Sequence, residues 1–151
     1  MATTTSAYLR LTNAAVTSTI LPVSKVRRLL LADDEHVIHR AVLRVAELRG
    51  WVVMSVTSGA NVLTKALETR PDMIVLDMRF PDADGRDILS SLKRDTRTSH
   101  IPVIVWSGSD LGNDREITLD LGAEDYVEKG APEELISKIR RVFLRLEQAP
   151  T

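Results

Sequence analysis

Cysteine is absent from this chain, which excludes a disulfide framework, a thiolate metal site and a cysteine nucleophile, and fits a reducing compartment. No apolar stretch approaches the roughly 20 residues needed to span a bilayer, so a soluble protein with no membrane partner is expected. A dominant charge is missing too. Twenty Lys and Arg face 21 Asp and Glu, for a net charge of −1, and no global positive field recruits nucleic acid or anionic lipid. Acidic residues are lacking before Asp33, and Arg10 is the single charged side chain among residues 1–24. That Ser-, Thr- and Ala-rich leader has neither the arginines of a transit peptide nor the basic start and apolar run of a secretory signal. Residues 1–24 are expected to form a flexible polar tail, with Tyr8, Leu9, Leu11, Val16 and Ile20 able to dock on a neighbouring surface. A cytoplasmic location follows as an expectation.

What is present is one domain's worth of core. The 151 residues are 44% hydrophobic and 27% charged, a globular balance. From Val26 the pattern alternates between strands and helices. Leu29-Leu30-Leu31-Ala32 is a short apolar run of the kind covered on both faces. Ile38, Ala41, Val42, Val45 and Leu48 then share one helical face that Gly50 ends. Trp51 to Val56 reads as a second strand. Ser58 is placed to cap a helix through Leu63, Ala66 and Leu67, which Pro71 ends. Met73 to Leu76 forms a third strand ending at Asp77.

The turn-rich run Pro81-Asp82-Ala83-Asp84-Gly85 precedes a helix carrying Ile88, Leu89 and Leu92. Ile101 to Trp106 is a fourth strand. A helix with Ile117 and Leu121 leads through Gly122 to a fifth strand at Tyr126-Val127. Pro132 suits the first position of a last helix, with Glu133 and Glu134 in its first turn and an apolar side from Leu135 to Leu146. Five strands alternating with five helices predict a doubly wound parallel α/β sheet, its crevice outside the carboxyl ends of the strands. There are no internal repeats.

The residues expected at those ends carry the chemistry. Asp33-Asp34 follow the first strand, Asp77 ends the third, Ser107 the fourth, and Lys129 follows the fifth. Each alone is ordinary: aspartates cap helices and fill turns, and a surface lysine is usually a solvated charge. Jointly they bring three carboxylates, a hydroxyl and an ammonium to one crevice. Clustered carboxylates repel one another unless compensated, and a hard dication such as Mg²⁺, which takes oxygen ligands, is the usual remedy. A metal held by Asp33, Asp34 and Asp77 can bridge Asp77 to a phosphoryl oxygen, making Asp77 the nucleophile. Lys129 and Ser107 are then placed to contact the other phosphoryl oxygens.

The segments Leu30-Leu31-Ala32-Asp33-Asp34-Glu35, Val75 to Gly85 and Leu121 to Lys129 resemble the receiver domains of two-component response regulators. The resemblance runs from Val26 to Leu146. It implies a flavodoxin-like receiver fold of strand order 2-1-3-4-5 over residues 25–148. It further implies Asp77 as phosphoacceptor, with Asp33, Asp34 and the Met78–Arg79 backbone, through the Arg79 carbonyl, around Mg²⁺. Ser107 becomes the switch hydroxyl, Tyr126 the switch aromatic and Lys129 the phosphate-sensing lysine. The phosphodonor is then a sensor histidine kinase or a histidine phosphotransfer protein, and output passes to a downstream protein target. Such a switch is not an enzyme in the usual sense, because it phosphorylates and dephosphorylates only itself.

The chain departs from the family twice. Gly130 stands where proline usually follows the lysine, and a non-proline cis bond costs about 2.5–4 kcal/mol, so a trans Lys129–Gly130 peptide is expected, with Lys129 still aimed at Asp77. Arg79 occupies the position that tunes phosphoryl lifetime. Two alternatives remain open. A degenerate receiver would act only as a protein-binding scaffold, although every reacting group is present. A haloacid-dehalogenase-type phosphatase expects an acid two residues after its nucleophile, where Arg79 stands. No Gly-rich phosphate loop follows the first strand, so a nucleotide-binding module is disfavoured. With no DNA-binding helix-turn-helix or catalytic output domain after the last helix, direct nucleic-acid binding is not expected. Output, or any homodimer, is expected at the fourth helix, fifth strand and fifth helix. Lys138, Arg140, Arg141 and Arg145 of the last helix are read there either as a docking site or as a solvated face.

Overall fold

Strands too apolar to face water on either side need helices over both faces, and the chain supplies them in alternation. The computed structural model describes residues 25–108 and 113–149. Residues 1–24, including the apolar positions of the leader, lie outside the described part. The strands are β1 Arg28–Ala32, β2 Val52–Val56, β3 Met73–Asp77, β4 Val103–Ser107 and β5 Asp125–Glu128. The helices are α1 Val37–Arg49, α2 Val62–Thr69, α3 Gly85–Arg94, α4 Asp114–Asp120 and α5 Pro132–Gln148, with a 3₁₀ turn at Gly59–Asn61 before α2.

The sheet has the order β2-β1-β3-β4-β5, and every pairing is parallel. This is the expected doubly wound topology. Alternate residues serve opposite layers. Leu30, Ile74, Leu76 and Val105 pack on one face beneath Ala66 of α2 and Leu89 and Leu92 of α3. Leu29, Leu31, Val75 and Ile104 pack on the other beneath Val42 of α1 and Leu135, Ile139 and Phe143 of α5. Each fully buried aliphatic side chain contributes about 1.5–3 kcal/mol relative to exposure. The central strands are therefore the part least able to tolerate polar substitution.

Two local expectations are corrected. Leu48 is 87% exposed rather than on the buried face of α1. Ile38, His39, Val42 and Ala46 form the buried stripe, and at 100° per residue Leu48 lies roughly 130° around the helix from its middle. It faces instead the groove between α1 and α5, beside Trp51 and Leu144. Ser58 does not cap the following helix with its side chain. Its hydroxyl donates to Asp82 at 2.6 Å, and Asp82 also accepts the Gly59 and Ala60 N–H groups, both at 3.0 Å. The Ser58 hydroxyl and those two N–H groups hold the Asp82 carboxyl down at about 2. One carboxylate thus pins the loop after β3 to the turn after β2.

Gly85 closes that same loop. Its N–H donates to the Met78 carbonyl at 3.1 Å, and Arg79 forms an antiparallel bridge with Asp84. A Cβ at Gly85 would sit 2.5 Å from the Met78 Cα and 2.7 Å from its carbonyl oxygen, contacts with backbone that no rotamer change relieves. Gly85→Ala is expected to destabilise the fold by ~1–3 kcal/mol, the range for overpacking a filled site. Urea denaturation of both proteins measures it, and coincident midpoints would show that the loop has room.

Candidate functional site

Parallel pairing brings the carboxyl ends of all five strands to one edge. Asp33 follows β1 and is 2% exposed; Asp77 ends β3 and is 1% exposed. One Asp33 oxygen, Oδ1, accepts the Glu35 N–H at 2.7 Å. Asp77 Oδ1 accepts the Arg79 N–H at 3.0 Å, and Asp77 Oδ2 accepts a hydrogen bond from Lys129 Nζ at 2.8 Å. Asp34 is exposed at the rim. A carboxylate oxygen from each of Asp33, Asp34 and Asp77 lies within 4.8 Å of the others. The expected acidic cluster is therefore assembled.

Lys129 is the cation at its centre, 3.7 Å from Asp33 and 3.5 Å from Glu35 as well as bonded to Asp77. Its own N–H donates to the Ser107 carbonyl at 2.7 Å, which ties the lysine to the end of β4. Among the described residues there is no cis peptide bond, and Gly130 takes φ +106°. The Lys129–Gly130 peptide is trans, as expected. The missing proline is compensated by a left-handed conformation that glycine adopts without a steric penalty, and Lys129 reaches Asp77.

The electrostatics are unbalanced. Burial pushes the Asp33 carboxyl up to about 6, reinforced by Asp77 and opposed by the Glu35 N–H and Lys129. Burial acts against the Lys129 ammonium, but the hydrogen bond and charge of Asp77, with the charges of Asp33 and Glu35, hold it above its ordinary value. One ammonium serves three clustered carboxylates. Asp33 Oδ2 and Ser107 Oγ are buried with no hydrogen-bond partner among the described residues. A free carboxylate oxygen in an all-oxygen acidic set fits a hard divalent cation such as Mg²⁺. The free Ser107 hydroxyl is a spare donor at the same edge.

Tyr126 is buried in β5, and the Arg115 guanidinium lies 5.1 Å from its ring centroid. Sequence reasoning missed several supporting groups. Asp84 caps α3 by accepting the Arg86 N–H at 2.9 Å, and Arg86 pairs with Asp114 at the start of α4. Asp82 and Asp84 had shown only a turn-rich composition. Asp114 carried no signal, because its partner is 28 residues away. On the far face Lys138 pairs with Asp125 at 2.8 Å and Glu134 at 3.6 Å, and Arg145 with Glu124. Those two cations are held within the chain.

The chain is similar to known proteins. A family model described as the response regulator receiver domain matches residues 29–140. The transcriptional regulatory protein KdpE of Mycobacterium tuberculosis is 38% identical over 117 residues, covering 77% of this chain and 50% of KdpE. The DNA-binding dual master transcriptional regulator RpaA of Synechocystis sp. is 32% identical over 124 residues, covering 82% of this chain and 52% of RpaA. The chain thus spans about half the length of these curated relatives. Among solved structures, the receiver domain of the sensor histidine kinase PA1611 of Pseudomonas aeruginosa, with magnesium coordinated in its active-site cleft, is 26% identical. It superposes with a TM-score of 0.68, covering 79% of this chain and 98% of that one.

The raised Asp33 pKa has a thermodynamic consequence without metal. The folded protein holds a proton on Asp33 up to about pH 6, whereas the unfolded chain releases it near 3.8. Stability is therefore lost as pH rises through that window, by about 2–3 kcal/mol. In chelator, Asp33→Asn is expected to raise the melting temperature at pH 7.5, and the gain should fade toward pH 4. Thermal melts at both pH values decide it; a pH-independent difference would show that Asp33 ionises freely in the fold.

Proposed function

Because this chain belongs to the response regulator receiver domain family, we propose that it is a phosphorylation-controlled signalling switch whose phosphoacceptor is Asp77. The observation that carries the reading is the Lys129–Asp77 hydrogen bond of 2.8 Å at the mouth of a three-carboxylate cluster. An acceptor carboxylate must be ionised, accessible along one direction and surrounded by charge that neutralises the incoming phosphoryl. Lys129 donates to one Asp77 oxygen, and the Arg79 N–H donates to the other and orients the carboxylate.

The residues that would hold Mg²⁺ are Asp33, Asp34, Asp77 and the Arg79 carbonyl. Bound there, the ion supplies positive charge against the developing charge on phosphoryl and carboxylate oxygens. The magnesium site of the PA1611 receiver supports this assignment. An Asp77 oxygen attacks phosphorus while the donor's bond to phosphorus breaks and its electron pair leaves with the donor. Lys129, freed from its bond to the attacking carboxylate, pairs with one phosphoryl oxygen. Ser107, whose hydroxyl has no partner among the described residues, donates to another. Drawing Ser107 toward the phosphoryl couples the site to the end of β4, and Tyr126 on the neighbouring strand acts as the switch aromatic. Arg79, exposed beside the acceptor, tunes the lifetime of the acyl phosphate.

The receiver unit spans residues 25–148 and works in the cytoplasm. Its donor is a sensor histidine kinase or histidine phosphotransfer protein, and its target is a protein recognised through α4, β5 and α5. We assign residues 25–148 no contact with nucleic acid. The DNA binding named for RpaA belongs to a protein of which the match covers 52%.

Acetyl phosphate with Mg²⁺ is expected to add one phosphoryl group to the parent protein and none to Asp77→Asn, as read by intact mass. Saturating Mg²⁺ should also stabilise the parent by roughly 1–3 kcal/mol through mass action, and Asp34→Ala should lose most of that gain. Equal labelling of parent and Asp77→Asn would place the acceptor elsewhere. Superimposable melts with and without Mg²⁺ would refute the metal assignment.

A further inference from the structure

At the C-terminal end of α1, away from Asp77, a groove of about 500 Å³ opens between α1 and α5. Val45, Trp51, Ile136 and Phe143 form its floor, and Leu48 and Leu144 stand at its mouth. Trp51 and Phe143 meet edge to face, with ring centroids 5.0 Å apart. Leu48 is 87% and Leu144 53% exposed, so two large apolar side chains add little to the core. Arg49, Arg140 and Glu147 rim the groove. Among the described residues the paired cations of α5 are Lys138 and Arg145, which lie toward β5. Arg140, on the groove side, has no carboxylate partner there, and neither Arg49 nor Glu147 is paired.

An exposed apolar patch with a polar rim marks an interaction surface, and the pattern along α5 selects the partner. Ile136, Arg140, Leu144 and Glu147 recur at helical spacing and form one stripe on the groove side. Arg140 and Glu147 stand two turns apart, one on each side of Leu144. Two such stripes crossed antiparallel about a twofold axis set each Arg140 against the other copy's Glu147, with the leucines at the axis. The stripe is complementary to itself. Residues 1–24 carry Arg10 and no acidic residue, so the leader brings no carboxylate to the two arginines of the rim. We infer that this groove is the interface of a twofold dimer of the chain, closed by two Arg140–Glu147 pairs around Leu48 and Leu144. From Ile136 to Glu147 the stripe is about 16 Å long at 1.5 Å per residue. That is short for a standard interface of about 800 Å² per partner, so association in the range of about 1–100 µM is expected. The interface uses neither Asp77 nor the β5 side of α5. Pairing therefore joins two copies while leaving the acidic cluster and the α4, β5 surface uncovered, and it does not rest on the assignment of Asp77 as phosphoacceptor.

Sedimentation equilibrium of the full chain without phosphodonor, over about 1–500 µM, measures the association constant. The parent is expected to pass from monomer to dimer within that range. Arg140→Glu sets glutamate against glutamate, and Glu147→Arg sets arginine against arginine, at both pairs related by the axis. Each reversal should weaken association by about tenfold or more. Combining the two in one chain restores both pairs with their signs exchanged, and should return the constant to within about threefold of the parent. Arg141→Glu makes the same charge change off the stripe and should leave association within about threefold of the parent. All three sites are exposed, so thermal melts should show each variant folded. A parent that stays monomeric to the top of the range would overturn the inference and leave the groove to the leader or to another protein. A dimer that survives either reversal, or a loss that the double variant does not rescue, would overturn it too and move the contact off this stripe.

Discussion

Everything at the site depends on the strands being parallel. A parallel pair requires a crossover, and right-handed crossovers return each new strand with its carboxyl end at the same edge. Asp33, Asp77, Ser107 and Lys129 are far apart in the chain, and Asp77 and Lys129 are separated by 52 residues. The register closes that distance. Leu29 opposite Met73, Ile74 opposite Val103 and Ile104 opposite Asp125 bring the strand ends level. A slip of one residue on β3 would turn Asp77 toward the opposite layer. The apolar alternation that builds two cores is thus also what aims the Asp77 carboxylate.

The site holds more negative charge than it can neutralise, and the supporting structure is organised around that excess. Lys129 compensates part of it, and its position is enforced by the backbone bond from its own N–H to Ser107. Asp33 keeps an oxygen free and a raised pKa. Unsatisfied buried polar groups cost stability. Such a cost is tolerated where a ligand relieves it, so the arrangement reads as a receptor for positive charge and for oxygen acceptors. The loop beyond β3 is rigid by contrast. Asp82 grips the Ser58-Gly59-Ala60 turn, Asp84 caps α3, and Gly85 lies against the Met78 backbone. The backbone of Met78 and Arg79 is therefore held by neighbours on two elements.

The α/β class, the five strands and the polar groups at their ends were legible because they rest on local pattern. Short apolar runs followed by Asp, Ser or Lys mark strand ends whatever the rest of the chain does. The strand bounds shifted by one or two residues, where fraying and caps compete with pairing. Helix faces were less legible. The apolar series on α1 pointed to Leu48, yet the helix is rotated toward Ala46 and His39, because both α1 and α5 must cover the same half of the sheet. Ser58 looked like a cap, but a carboxylate 24 residues away was a better partner for its hydroxyl.

Sequence alone determined which groups are available: three strand-end aspartates, a hydroxyl, a lysine, and a glycine after that lysine able to turn without a cis bond. Those are properties of residue type and of neighbours a few positions away. Only the tertiary structure decided how they divide the work. That one Asp33 oxygen accepts a hydrogen bond while the other has only the Lys129 ammonium at 3.7 Å, that Lys129 faces Asp77, and that Arg86 pairs with Asp114 follow from packing between distant segments.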